Sequence, residues 1–112
     1  MSESDGAVQL NMEVLQKEVD KQSPFRSIIK IVDMVIVQAF LSRASDIHMD
    51  PEEKHLRLRF RIDGVLHDIF SFPKELHSEI ITRIKVLSAL RTDEHQTAQD
   101  GRLRIAVPEH GF

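Results

Sequence analysis

The chain contains no cysteine. Disulfides, thiol nucleophiles, cysteine-ligated zinc and iron–sulfur clusters are excluded together. It has no tryptophan and no tyrosine, and its aromatics are six phenylalanines. Stacking platforms for single-stranded nucleic acid usually need more aromatic surface than that. An excess of positive charge is missing too: 15 lysines and arginines stand against 18 aspartates and glutamates, a net charge of −3. Nucleic-acid-binding domains are normally strongly basic over one face, so a general DNA- or RNA-binding role is disfavoured. The four glycines are scattered and form neither G-x-x-x-x-G-K-[ST] nor G-x-G-x-x-G. The chain on its own therefore has no recognisable phosphate loop. Long apolar runs are also absent. The most apolar stretch, Ile28 to Leu41, is interrupted by Lys30, Asp33 and Gln38 and falls short of the roughly 20 residues that a membrane span needs. The N-terminus, Met1 to Gly6, is polar and acidic, the wrong charge for a signal or transit peptide. The expected compartment is the cytoplasm.

What is present is 112 residues, 41% hydrophobic and 29% charged. That is one small domain, or one domain plus a tail, with enough apolar mass for a core. Residues 1–24 read as a flexible leader or linker, or a short helix. Val8, Met12, Leu15 and Val19 fall at helical spacing, and Glu13 and Lys17 form an i,i+4 pair before Ser23-Pro24. The domain proper is expected over 25–112. Phe25 to Arg43 is predicted as a helix with apolar residues on nearly every face. Such a helix lies at the centre of a domain or keeps one face for a partner.

Ala44 to Met49 is predicted as a short strand, with a turn over Asp50 to Lys54. The clearest pattern follows. Leu56, Leu58, Phe60 and Ile62 alternate strictly with Arg57, Arg59 and Arg61. This is period two, a strand with one apolar face and one guanidinium face. Asp63-Gly64 is a two-residue hairpin turn, and Val65 to Phe70 is the return strand. The turn sets the register: Ile62 faces Val65, Arg61 faces Leu66, Phe60 faces His67 and Arg59 faces Asp68. His67 then falls on the apolar face, and Leu66 and Phe70 share the arginine face. Pro73 to Leu90 is predicted as a second helix with an apolar stripe of Leu76, Ile80, Ile84 and Leu87. Thr92 to Ala98 reads as loop and Gln99-Asp100-Gly101 as a turn. Arg102 to Val107 is a third alternating segment, with Leu103, Ile105 and Val107 inward and Arg102 and Arg104 outward. The order of elements predicts an α+β fold, a small antiparallel sheet with flanking helices.

The chemistry-bearing residues are few in kind. Arg57, Arg59 and Arg61 share one face at intervals of roughly 6.6–6.8 Å, and Arg102 and Arg104 repeat the arrangement. Such a row can grip a polyphosphate or a carboxylate-rich partner, or it can be a solvated face with a cross-strand Arg59–Asp68 pair. The six histidines form no H-x-x-x-H or H-E-x-x-H. Asp46 and His48 share a strand face, but no third ligand joins them, so no metal site is expected and both read as structural. Ser42 and Ser45 lack a base at useful spacing, and there is no nucleophile constellation. From the residues alone, a stand-alone ligand-binding or protein-interaction module remains open.

Four blocks carry more than these physical readings. Ala44-Ser45-Asp46-Ile47-His48-Met49-Asp50-Pro51, Arg57 to Leu66, Arg83-Ile84-Lys85-Val86-Leu87 and Gln99-Asp100-Gly101-Arg102 occur in this order over roughly residues 26–107. Together they closely resemble the secretion ATPase superfamily, the hexameric ATPases of type II secretion and type IV pilus assembly. The resemblance implies a PAS-like N-terminal domain that precedes the ATPase core. It implies a fragment of an ATP-hydrolysing motor whose phosphate-binding loop lies further along, so this chain alone should not hydrolyse ATP. ATP and Mg are implied for the parent protein, with no cofactor expected in the fragment. The implied partners are the chain's own ATPase core, neighbouring subunits of a homohexamer, and inner-membrane secretion or pilus platform proteins, at a cytoplasmic site peripheral to that membrane. The basic residues it implies near the nucleotide, as arginine-finger candidates, are Arg59, Arg61, Lys74 and Arg102. A PAS-like module that binds a ligand or a protein by itself is the alternative.

Overall fold

A computed structural model describes residues 3–22, 24–89, 96–99 and 102–107. Helix α1 spans Glu3–Asp20 and α2 spans Ile28–Leu41. Strands β1 (Asp46–Pro51), β2 (His55–Ile62) and β3 (Val65–Pro73) follow. A 3-10 turn at Lys74–Leu76 leads into α3, His77–Ala89. Strands β4 (Gln96–Gln99) and β5 (Arg102–Ala106) complete the described elements. The five strands form one antiparallel sheet in the order β3-β2-β1-β5-β4. The fold is α+β, as the pattern of elements predicts.

The alternation in β2 decides how the sheet is laid down. Leu56, Leu58 and Phe60 are fully buried, as are Met49 of β1 and Phe72 of β3. Ile47, Leu103 and Ile105 join them on the same face. The helices cover that face with Ile31, Val32, Val35 and Ala39 of α2, and Ile80, Ile81 and Ile84 of α3. Burying each such side chain contributes about 1.5–3 kcal/mol, so a one-residue slip of β2 would exchange this core for three guanidiniums.

Residues 3–20 form a helix docked on α2. Leu15 and Val19 of α1 enter the common core. Asn11 donates through Nδ2 to the Met34 carbonyl and to Gln38 Oε1, both at 2.9 Å. The junction with α2 is built on Glu18, which is buried. Its Oε2 accepts the Ser27 backbone N–H at 2.9 Å, and its Oε1 accepts from Lys21 Nζ at 3.1 Å. Ser27 in turn caps α2, its Oγ accepting from the Lys30 N–H at 3.2 Å. Helix α2 is central to the fold, yet Ile29, Val37 and Phe40 stay exposed.

Four expectations change in detail. A β-bulge between Leu58 and Arg59 shifts the β2–β3 register, so that Leu58 faces Phe70 while Arg59 faces Asp68. Phe70 therefore leaves the arginine face and packs toward the core, 4.8 Å from the Phe72 ring. One extra residue in a strand is enough to reverse the sidedness of everything beyond it. His67 does face Phe60 but is exposed, because β3 is the edge strand and no described strand lies beyond it. Pro73 ends β3 and does not open the helix. Gln96–Gln99, expected within a loop and turn, is an edge strand paired with β5. Its backbone pairing does not need the apolar alternation that marks inner strands. Leu90, Thr92 and the Asp100-Gly101 turn lie outside the described residues.

Glu18 generates a prediction. The Ser27 N–H holds its carboxyl below the usual value of 4.5, against the opposing effect of burial and with help from Lys21. A carboxylate with a depressed folded pKa stabilises fully above 4.5, and that contribution is lost as pH falls through the folded value. Urea unfolding of wild type and Glu18→Gln should therefore differ clearly at about pH 7 and by less at about pH 3. A gap of equal size at both pH values would contradict this role.

A candidate charged face on the outer side of the sheet

The side of the sheet away from the core carries nearly all the polar chemistry. Adjacent same-face side chains on a strand lie about 6.6–6.8 Å apart, and the register interleaves acids with bases. Asp46 faces Arg61, His48 faces Arg59 and Asp50 faces Arg57 across β1 and β2. On the other flank of β1, His48 faces Arg104 and Asp46 faces Ala106 of β5. The same pleat that buries Ile47 and Met49 thus places Asp46, His48 and Asp50 among the arginines.

The guanidiniums are paired, and mostly along diagonals. Arg57 clamps Glu52 through Nε and Nη2, both at 3.0 Å, and donates from Nη1 to Asp68 at 3.3 Å. This clamp holds the Glu52 carboxyl below its usual range and pushes the Arg57 guanidinium up. Arg59 donates from Nη2 to Asp50 Oδ2, while Asp68 stands 4.0 Å from its Nε. Arg61 bonds the Gly64 carbonyl through Nη1 at 3.1 Å and sets its Nε 3.4 Å from Asp46 Oδ2. Arg104 donates through Nε and Nη2 to Asp46 Oδ1 at 3.3 and 3.1 Å. Asp46 also accepts from Ser45 Oγ at 3.0 Å, and it is buried.

Because Arg59 leans toward Asp50 and Arg104 toward Asp46, His48 stands between two departing neighbours. Its Nε2 is buried with no hydrogen-bond partner among the described residues, and so is Arg59 Nε. Desolvation lowers the His48 pKa from the usual 6.5, Asp46 opposes the shift, and Arg104 and Arg61 reinforce it. The imidazole is therefore kept neutral among charges.

The four expected basic residues are distributed rather than convergent. Arg59 and Arg61 share the outer face of β2, both about one-third exposed. Lys74 is exposed at the far end of β3, where its Nζ bonds the Glu52 carbonyl. Arg102 is exposed at the start of β5, opposite Gln99. Arg61 instead shares a carboxylate with Arg104, a residue that the spacing places outward but that no motif singles out. Of the acidic partners, Asp46 was visible as an outward strand residue, while Asp50, expected in the turn, lies within β1, which runs on to Pro51; only the strand order shows which arginines they hold. Among the described residues no group of His, Asp and Glu comes together as a metal site. No helix among them is long and apolar enough to cross a membrane.

The structure is thus an α+β domain with a helix-covered apolar sheet face and an ordered, half-exposed ionic face. Comparison with known proteins gives that domain its family. The family profile described as Type II/IV secretion system protein matches residues 21–112, and the chain belongs to that family. It is 42% identical over 101 residues to the type IV pilus assembly ATPase TfpB of Acinetobacter baylyi, covering 88% of this chain and 17% of that protein. It is 38% identical over 90 residues to the type IV pilus assembly ATPase PilB of Myxococcus xanthus, covering 80% and 16%. It is 39% identical over 80 residues to type II secretion system protein E of Klebsiella pneumoniae, covering 71% and 16%. The chain thus spans less than a fifth of the length of these relatives.

The neutral state of His48 sets a testable pH response. A histidine with a lowered folded pKa stabilises fully above 6.5, and the contribution is lost as pH falls below that value toward the folded pKa. Between about pH 7.5 and about pH 5.5, wild type should lose more stability in urea than His48→Gln does. Equal losses would remove His48 as the titrating group.

Proposed function

We propose that this chain is the domain just before the ATPase core in a hexameric motor of type II secretion or type IV pilus assembly. In that assembly its outer sheet face turns basic residues toward the nucleotide held by the core or toward a neighbouring subunit. The observation that carries the reading is the pair Arg59 and Arg61: charged, about one-third exposed, and held on one face of a strand whose other face is core. A guanidinium delivered from a rigid strand stabilises charge on a transferring phosphoryl group without having to be ordered at the moment of reaction. Lys74 and Arg102 extend the positive charge to the ends of β3 and β5.

The chain has the donors for such a role but no phosphate-binding loop. ATP and Mg belong to the core of the complete protein, and this part by itself is inactive. The working position is the cytoplasmic side of the inner membrane, against the secretion or pilus platform proteins. The family match over residues 21–112 supports this setting, since the relatives are named pilus assembly ATPases and a type II secretion system protein.

The test uses the full-length ATPase. Arg59→Lys keeps the charge beside Asp50 and removes the planar fork, so folding is preserved. Its turnover should fall at least about tenfold, and that of Arg59→Ala further, the range expected when a trans guanidinium is lost. Wild-type turnover in both variants would overturn the role.

A further inference from the structure

Asp46 is the most enclosed acid on the outer face, and two arginines from different strands meet on it. Its side chain is only 9% exposed, against 35% for Arg61 and 58% for Arg104. Arg61 stands directly opposite it on β2. Arg104 comes from β5 along a diagonal, past Ala106, which is the direct partner of Asp46 on that strand. Diagonal neighbours in an antiparallel pair lie about 7–8 Å apart, within reach of an arginine, and alanine leaves the path clear. The two oxygens are divided: Oδ1 takes Arg104 Nε and Nη2, while Oδ2 takes Ser45 Oγ and lies 3.4 Å from Arg61 Nε.

Each guanidinium carries five N–H donors. Arg61 uses Nε and Nη1, and Arg104 uses Nε and Nη2. Arg61 Nη2 and Arg104 Nη1 bond nothing among the described residues. One carboxylate between two guanidiniums leaves a net charge of +1. The carboxylate also pays in advance for the side-chain ordering that binding would otherwise cost.

We propose that Asp46 is a positioning residue that fixes Arg61 and Arg104 as a two-guanidinium site for the phosphoryl groups of a polyphosphate. The ligand class follows from the donors. Two forks held at one locus offer more N–H groups than a single carboxylate accepts, and the residual positive charge and planar donors suit phosphoryl oxygens. For the biological source of the phosphate the proposal rests on the nucleotide-facing reading above, and it adds Arg104 and Asp46 to that face. The site itself is a property of this chain.

The experiment titrates this 112-residue chain with inorganic triphosphate and follows the arginine Nε–H signals by NMR. In wild type the Arg61 and Arg104 signals should shift on one saturating curve. Arg104→Gln removes an exposed side chain, so the fold persists, and it should weaken the response at Arg61 at least about tenfold. Asp46→Asn separates positioning from bulk electrostatics. It raises the local charge by one, so simple attraction would tighten binding, whereas loss of positioning should weaken it by a similar factor. Joint, saturable shifts that weaken in both variants support the proposal. It is overturned by an unchanged Arg61 response in Arg104→Gln, by tighter binding in folded Asp46→Asn, or by no saturation in wild type up to about 10 mM. If Asp46→Asn does not fold, Arg104→Gln decides alone. Turnover of the Arg59 variants reports separately on the motor reading, so either can fail without the other.

Discussion

Strand β2 runs between β1 and β3 with Leu56, Leu58 and Phe60 sealed from solvent on one side and Arg57, Arg59 and Arg61 on the other. Its two-residue period ties the core and the charged face together. Neither can shift without the other, because a slip by one residue would drive guanidiniums into a helix-covered interior. The neighbouring strands obey the same rule. Ile47 and Met49 of β1, and Leu103 and Ile105 of β5, point inward, so Asp46, His48 and Arg104 must point outward. The charged face is thus a direct consequence of building the core.

Arg57, Arg59, Arg61 and Arg104 on one side of a small sheet would repel one another if left alone. The acids of the same face prevent this. Asp50 holds Arg59, Asp46 holds Arg61 and Arg104, and Glu52 with Asp68 holds Arg57. The exposed pairs among them, those of Arg57 with Glu52 and Asp68, contribute little to stability, about 0–1 kcal/mol each. Their effect is geometric: they order long side chains in chosen directions on a rigid surface. Under the proposal above, an anion at this face would meet arginines that the carboxylates already hold in place. His48 stands among these charges as a neutral residue, with desolvation as the chief cause of its lowered pKa.

The helical layer has a similar economy. Glu18 links the end of α1 to the start of α2 by accepting from Ser27, the residue that caps α2. The polar core contact from Asn11 to Gln38 sets the two helices side by side. Apolar side chains nevertheless remain outside: Leu10 and Val14 on α1, Ile29, Val37 and Phe40 on α2. The over-apolar character of α2 is therefore only partly absorbed within this domain.

The sequence by itself determined what depends on near neighbours. Strict alternation marked β2, Asp63-Gly64 marked its hairpin, and the first four cross-strand pairs from Ile62–Val65 to Arg59–Asp68 followed from the turn. The α+β fold and the family blocks were legible for the same reason, since both reside in short stretches of chain. Tertiary structure alone decided the rest. The bulge at Leu58/Arg59 moved Phe70 to the core, because one unpaired residue leaves no trace in an apolar pattern. The leader became a docked helix because Leu15 and Val19 found a core supplied by residues far along the chain. The pairing of Asp46 with Arg104, 58 positions away, required β5 to lie beside β1. Which arginine a carboxylate holds is set by strand order, and strand order is settled only when the distant strands assemble around the shared core.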